Sequence, residues 1–141
     1  MKALIADDEP FYLEWLDDFL TSKGIESVFV TNIEDAIEEL SKENFRFMVV
    51  DLNIPVSAAF EGEVKVSTDI LKTYPGLYLA DYARNNGYRT RQVIVYSVHV
   101  NESIKEYVSK LYCTFIPKGR PSLLKDEIVE VLDYDPTEPE K

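Results

Sequence analysis

Five residues that could take part in metal or phosphoryl chemistry stand at the ends of short apolar runs in this sequence. Three are carboxylates, one is a hydroxyl and one is an amine: Asp7, Asp8, Asp51, Ser97 and Lys118. Carboxylates that meet in one place raise each other's pKa unless a cation lies among them. Mg²⁺ favours such oxygen ligands and commonly binds phosphate oxygens too. If these residues meet, Asp51 is the best placed nucleophile for a phosphoryl group, and Lys118 and Ser97 could donate hydrogen bonds to its oxygens.

Each of these residues also has an ordinary structural explanation. An aspartate such as Asp51 can cap a helix, a serine such as Ser97 can close a turn, and a lysine at a strand end is usually solvated. Their joint placement favours a role in metal or phosphoryl chemistry, provided that the fold brings the strand ends together.

The order of strands and helices predicts that it does. Apolar runs typical of strands occupy Lys2–Ala6, Glu26–Val30, 47–51, 92–96 and 113–117. Helical periodicity follows each run, from Pro10 to Gly24, after a cap at Thr31 or Asn32, from Leu77 to Gly87, over 100–111 and after a cap at Ser122. This alternation predicts an α/β fold with a five-stranded parallel sheet and helices on both faces. The flavodoxin-like order 2-1-3-4-5 fits, and ligands then bind beyond the carboxyl ends of the strands.

Composition limits the classes of function. The 141 residues suit one domain, and the formal net charge of −11 argues against direct binding to nucleic acid or to anionic membranes. The single cysteine, Cys113, excludes a disulfide framework, and the N-terminus has no stretch long enough for a signal peptide. We therefore predict a cytoplasmic protein.

Four motifs closely resemble those of response regulator receiver domains of two-component phosphorelay systems. They are residues 4–10 (LIADDEP), 49–55 (VVDLNIP), 93–97 (VIVYS) and 115–119 (FIPKG), within a match over about 2–133. The resemblance implies that Asp51 accepts a phosphoryl group from a histidine kinase or phosphotransfer protein in a reaction that requires Mg²⁺.

The resemblance also assigns roles to individual residues. Asp7, Asp8 and Asp51, with the backbone carbonyl of Asn53, would bind Mg²⁺. Ser97 and Lys118 would contact the phosphoryl group. Phe115 would be the switch aromatic that reorients when Ser97 moves, although it could equally be an ordinary core phenylalanine. No enzymatic activity beyond the domain's own phosphorylation and dephosphorylation is implied.

Several features depart from the usual receiver pattern. Residues 56–75 look like an insertion between strand 3 and helix 3, because such connections need only about two to six residues. The insertion could be a lid or partner surface, in which Thr68 could cap a short helix, or it could be a tolerated surface excursion. Val98 follows Ser97 where a smaller residue is common, so we expect slow dephosphorylation. Gly119 follows Lys118 where many receivers have proline, and residues 134–141 form an acidic, proline-containing tail or linker.

The predicted function is a phosphorylation-controlled switch of protein contacts. Its implied partners are the phosphodonor and either a downstream target or an output domain missing from the chain, with a possible homodimer through the fourth helix, fifth strand and fifth helix. An alternative is a receiver-like interaction module that works without phosphorylation. An aspartate-based phosphohydrolase would need an acid at Asn53, and a flavin phosphate would be repelled by Asp7 and Asp8.

Overall fold

A five-stranded parallel sheet forms the centre of the molecule. The computed structural model describes residues 1–57 and 69–136. Within them the strands are β1 Lys2–Ala6, β2 Glu26–Val30, β3 Phe47–Val50, β4 Val93–Ser97 and β5 Thr114–Pro117. Their order is β2-β1-β3-β4-β5, and every neighbouring pair is parallel. The predicted α/β class, parallel sheet and strand order are confirmed.

Among the described residues, four main helices connect these strands and a fifth follows β5. They are α1 Glu14–Ser22, α2 Ile33–Lys42, α3 Pro75–Asn85, α4 Glu102–Leu111 and α5 Pro121–Asp133. Three shorter helical segments lie between the main elements, namely the 3₁₀ helices Pro10–Leu13 and Thr90–Gln92 and a short α-helix at Asp69–Thr73. Among the described residues, no helix is long and apolar enough to cross a bilayer.

Alternation along the strands produces two apolar layers. In β3, Met48 and Val50 belong to a core shared with α2, α3 and α4, whereas Phe47 and Val49 belong to a core shared with α1 and α5. All four residues of β3 are buried, as expected of a central strand covered on both faces. The helices thus cover both faces of the sheet and leave its carboxyl edge as the place for a site.

Helix starts agree with the sequence prediction in some places and differ in others. The Asn32 side chain caps α2 by accepting a hydrogen bond from the backbone N–H of Asp35 at 2.8 Å, which is one of the two caps predicted. The prediction that Ser122 caps the last helix is wrong. That helix begins one residue earlier at Pro121, whose fixed φ suits the first helical position, and Arg120 occupies the N-cap without a side-chain bond.

The two ends of the predicted insertion are attached to the rest of the fold. At its start, the backbone N–H of Ser57 donates to Glu34 of α2 at 2.6 Å. Near its end, Leu71 is 5% exposed and lies in the core beneath α3. The predicted cap Thr68 lies outside the described residues. We also find that α3 begins at Pro75 rather than at Leu77, so the connection is shorter than the sequence suggested.

Candidate functional site

The carboxyl ends of the central strands are aligned by the sheet register. Ala6 pairs with Val50, Val50 pairs with Val95, and Ser97 pairs with Pro117. The residues that follow these positions are therefore carried to one edge. The structure brings Asp7, Asp8, Asp51 and Lys118 together there, with Ser97 at the end of the adjoining strand.

Lys118 joins two buried carboxylates. Its Nζ donates to Asp7 Oδ2 at 2.7 Å and to Asp51 Oδ2 at 3.2 Å. Asp7 is 3% exposed and Asp51 is 6% exposed, so both charges are largely removed from water. A buried carboxylate is tolerated when it is paired and hydrogen-bonded. Burial lowers the pKa of Lys118, but the hydrogen bond to Asp7 and the charge of Asp51 outweigh that effect, and the pKa is raised.

Negative charge exceeds positive charge at this edge. Asp7, Asp8 and Asp51 each place a carboxylate oxygen within 4.8 Å of the other two. Partial burial, followed by the charges of Asp51 and Asp7, raises the pKa of the Asp8 carboxyl. Three carboxylates against the single amine of Lys118 leave two formal negative charges uncompensated by these four groups. This set of hard oxygen donors with surplus negative charge fits Mg²⁺.

Backbone groups fix the orientation of two of the carboxylates. Asp7 Oδ1 accepts a hydrogen bond from the backbone N–H of Glu9 at 2.8 Å. Asp51 Oδ1 lies 3.4 Å from the backbone N of Asn53 in a weaker bond of the same type. In both residues the other carboxylate oxygen faces Lys118. The sequence between Asp51 and Pro55 therefore forms a turn that holds the carboxylate in place, while the Asn53 side chain is exposed.

Ser97 is completely buried at the end of β4. Its Oγ accepts a hydrogen bond from the backbone N–H of His99 at 3.2 Å, and its carbonyl accepts one from the N–H of Lys118 at 3.0 Å. Ser97 thus links the loop before α4 to the end of β5. Phe115, the predicted switch residue, is partly buried and packs against the core beneath α4. Its role as a switch residue stays a prediction.

A cavity of about 420 Å³ opens beside Asp51. Its lining combines the acids with aromatic and apolar side chains, including Asp8, Asp51, Tyr12, Trp15, Val98 and Lys118. Tyr12 is 66% exposed and Val98 is 70% exposed, so both lie at its rim. Val98 is therefore near the route by which a donor or water would reach Asp51, and slow dephosphorylation stays a prediction.

Sequence reasoning missed the role of Gly76 in this site. A Cβ atom at Gly76 would lie 2.1 Å from the carbonyl oxygen of Asp51 and 2.6 Å from the Cα of Leu52. The backbone N–H of Gly76 also donates to the Leu52 carbonyl at 2.9 Å. The first turn of α3 is thus pressed against the backbone of the candidate phosphoacceptor. The available signal was a glycine in the first turn of a helix, where glycine is otherwise unfavourable.

No family model matches the chain, and no curated protein matches it in sequence. Solved structures do resemble it closely in shape. A two-component response regulator from Clostridium difficile is 17% identical, with a TM-score of 0.71 over 94% of this chain and 96% of that one. A CheY-like response regulator receiver domain protein from Methanospirillum hungatei is 19% identical, with a TM-score of 0.72 over 94% and 93%.

A third structure is the response regulator TrrA from Thermotoga maritima in complex with Mg²⁺ and BeF. It is 20% identical and has a TM-score of 0.67 over 92% of this chain and 97% of that chain. At these identities the likeness establishes the fold. Since each match covers nearly all of both chains and the strand order is 2-1-3-4-5, the chain has the fold of the receiver domains of response regulators.

Proposed function

We propose that this protein is a response regulator receiver that accepts a phosphoryl group on Asp51 from a histidine kinase or phosphotransfer protein. One observation carries the proposal. At the carboxyl edge of a sheet with the receiver fold, three carboxylates lie within 4.8 Å of one another and Lys118 bonds to two of them. A purely structural ion pair does not need the third carboxylate.

The side chains of the site have distinct roles in the proposed reaction. A carboxylate oxygen of Asp51 forms a bond to phosphorus, while the bond between phosphorus and the imidazole nitrogen of the donor breaks. The Lys118 ammonium and the Ser97 hydroxyl donate hydrogen bonds to the phosphoryl oxygens. Because Lys118 already lies 3.2 Å from Asp51, a small displacement would bring it to the new phosphoryl group.

The same edge supplies a site for a divalent cation. Asp7, Asp8 and Asp51, with the Asn53 backbone carbonyl, would hold Mg²⁺. When bound, Mg²⁺ supplies positive charge that offsets the charge on the transferring oxygens. The surplus of negative charge among these residues supports this assignment, as does the complex of TrrA with Mg²⁺ and BeF.

A protein is a suitable phosphodonor for this cavity. Tyr12 and Val98 line the cavity and are 66% and 70% exposed. Phe11 is 64% exposed, and its ring centroid lies 4.3 Å from that of Tyr12. Exposed aromatic and apolar side chains of this kind are typical of protein contact surfaces. A protein donor could bury these side chains and at the same time present a phosphohistidine to Asp51.

Phosphorylation would act by shifting an equilibrium between two arrangements of the protein. Ser97 and Phe115 would change position with the phosphoryl group and alter the surface of α4, β5 and α5. A downstream target, an output domain or a second copy would read that surface. The protein would act in the cytoplasm as a signalling domain, with no reaction other than its own phosphorylation and dephosphorylation. A phosphorylation-independent interaction module is less well supported, because its expected mark, the loss of an acid or of the lysine, is absent.

Intact-mass spectrometry after incubation with Mg²⁺ and acetyl phosphate tests the proposal. We expect one added phosphoryl group on the wild type and none on Asp51→Asn. Asp126→Asn, which changes an exposed acid on α5, is the matched control and should be labelled like the wild type. Equal labelling of wild type and Asp51→Asn, or no labelling of folded wild type, would overturn the assignment.

A further inference from the structure

Tyr74 lies between the short helix Asp69–Thr73 and α3, at the end of the inserted segment 56–75. Its ring centroid is 5.7 Å from that of His99, with the two planes inclined by 50°. Its hydroxyl also accepts a hydrogen bond from Asn101 Nδ2 at 3.4 Å. The end of the inserted segment therefore touches the loop that joins β4 to α4.

The two residues that Tyr74 touches are anchored to the elements on either side of this loop. The backbone N–H of His99 donates to Ser97 Oγ at 3.2 Å. Asn101 caps α4, because its Oδ1 accepts a hydrogen bond from the N–H of Ile104 at 2.9 Å. A displacement of Ser97 would thus act directly on His99, and a displacement of the start of α4 would act on Asn101.

Tyr74 is also tied to the phosphoacceptor through its own backbone. Its carbonyl accepts a hydrogen bond from the N–H of Leu77 at 2.9 Å and so begins α3. Two residues after Tyr74, Gly76 lies against the Asp51 carbonyl, as described above. On the other side, Leu71 is buried in the core, so the segment that carries Tyr74 is held on a fixed base.

We propose that Tyr74 is a positioning residue that couples residues 69–74 to the loop between Ser97 and Asn101. The proposal rests on the proposed function, because phosphorylation of Asp51 is what moves Ser97. In the present arrangement the His99 and Asn101 contacts hold the loop against the segment. Phosphorylation changes those contacts and with them the environment of Asp69–Thr73. If phosphorylation changes the free energy with which a partner binds residues 69–74, that partner changes the free energy of phosphorylation by the same amount, by linkage.

Backbone amide NMR of the full chain, with Mg²⁺ and BeF₃⁻ added as the phosphoryl mimic, tests the coupling. In the wild type we expect chemical-shift changes in residues 97–101 and also in residues 69–73. In Tyr74→Ala we expect the changes in 97–101 to stay and those in 69–73 to be lost. Tyr82→Ala, which truncates another half-buried tyrosine eight residues further along the chain, should behave like the wild type.

Two further variants keep the test valid if Tyr74→Ala does not fold. His99→Ala removes the ring contact from the loop side but keeps the hydrogen bond from Asn101, and should reduce the changes in 69–73. Tyr74→Phe keeps the ring but loses the hydrogen bond to Asn101, and should reduce those changes without removing them.

The outcomes separate the two proposals. Changes in 97–101 of the wild type without changes in 69–73 would overturn the coupling and leave the proposed function intact. The same holds if the changes in 69–73 survive in Tyr74→Ala, or stay undiminished in both His99→Ala and Tyr74→Phe. No change at either place in the wild type would overturn the proposed function and the coupling with it.

Discussion

The two ends of the sheet bury charged groups in opposite ways. At the amino end, Arg46 Nη2 donates to the carbonyl oxygens of Val131 at 2.7 Å and Leu132 at 3.3 Å, near the end of α5. Arg84 Nε similarly donates to the Leu111 carbonyl at the end of α4, at 2.8 Å. At the carboxyl end, three carboxylates share the single amine of Lys118.

This difference separates charges that the fold pairs from charges that it leaves in surplus. A guanidinium at the end of a helix meets carbonyl groups that have no partner within the helix, and it also complements the helix dipole. Arg46 and Arg84 thus have a structural role, as donors to carbonyl groups at the ends of α5 and α4. The carboxyl end is left with a negative surplus that an added cation would neutralise. The comparison predicts that changes at the amino end alter stability alone, whereas changes at the carboxyl end alter stability and phosphorylation together.

Removing Lys118 should have the largest effect. Lys118→Met leaves Asp7 and Asp51 buried without a cation, and we expect the free energy of unfolding without Mg²⁺ to fall by about 3 kcal/mol. Urea denaturation measures this loss, and phosphorylation by acetyl phosphate should fall as well. Lys125→Met is the control. Since Lys125 lies over the rings of Trp15 and Phe19, its removal should lower stability by less than about 1 kcal/mol. Equal losses in both variants would contradict the account.

Gly76→Ala tests whether the backbone contact behind Asp51 matters to the site. Because the added Cβ overlaps the Asp51 carbonyl, we expect a loss of about 2 kcal/mol in unfolding free energy together with slower phosphorylation. Gly24→Ala is a suitable control. Gly24 has a φ of +76°, so alanine is strained there, but no atom lies within 4 Å of the new Cβ. That variant should lose stability and keep the wild-type phosphorylation rate. A wild-type rate in Gly76→Ala would show that the contact does not position Asp51.

Arg46→Met probes the opposite end of the sheet. Carbonyl groups at the end of α5 lose the guanidinium donor, while that of Val131 keeps its bond from the N–H of Tyr134. We expect the unfolding free energy to fall by about 1.5 kcal/mol. Under conditions where the variant is folded, phosphorylation of Asp51 should proceed at the wild-type rate. A slower rate would contradict the prediction that changes at the amino end alter stability alone.

Replacing Tyr88 should have the smallest effect on stability, and that effect should be seen only at high pH. It is 8% exposed, and burial raises its pKa above the usual 10.0, although the N–H of Phe45 bonded to its hydroxyl acts in the opposite direction. The folded protein keeps the phenol proton over a pH range where the unfolded chain has lost it. Stability therefore falls as the pH rises above 10, and it should fall less steeply in Tyr88→Phe. Tyr112→Phe, at a residue that is 71% exposed, should follow the wild type in denaturation measured from pH 9 to 11.

Much of the site could be predicted because its residues follow local patterns. Asp51 and Lys118 each end an apolar run, and the alternation of strands and helices requires parallel strands whose ends meet. Asn32 could be recognised as a possible cap from its residue type and position. The start of the first helix was predicted less accurately. The sequence pattern places it at Pro10, but Pro10–Leu13 forms a 3₁₀ helix and α1 begins at Glu14.

What could not be predicted depends on contacts between distant parts of the chain. In the sequence, Gly76 is only a residue of low helix propensity. Its close contact with the Asp51 backbone is seen only once α3 is packed there. The contacts of Tyr74 with His99 and Asn101 require the positions of two separate loops. Gln92 was expected in β4, but it ends a 3₁₀ helix and its side chain donates to the Arg46 carbonyl. None of these contacts leaves a periodic signal in the sequence.

Calorimetric titration of Mg²⁺ tests most directly whether the surplus of negative charge is functional. The account predicts one Mg²⁺ site in the wild type, its loss or marked weakening in Asp51→Asn, and an unchanged site in Arg46→Met. Absence of binding to the folded wild type at millimolar Mg²⁺, or binding that Asp51→Asn leaves unaltered, would contradict the assignment of the carboxyl edge as a cation and phosphoryl site.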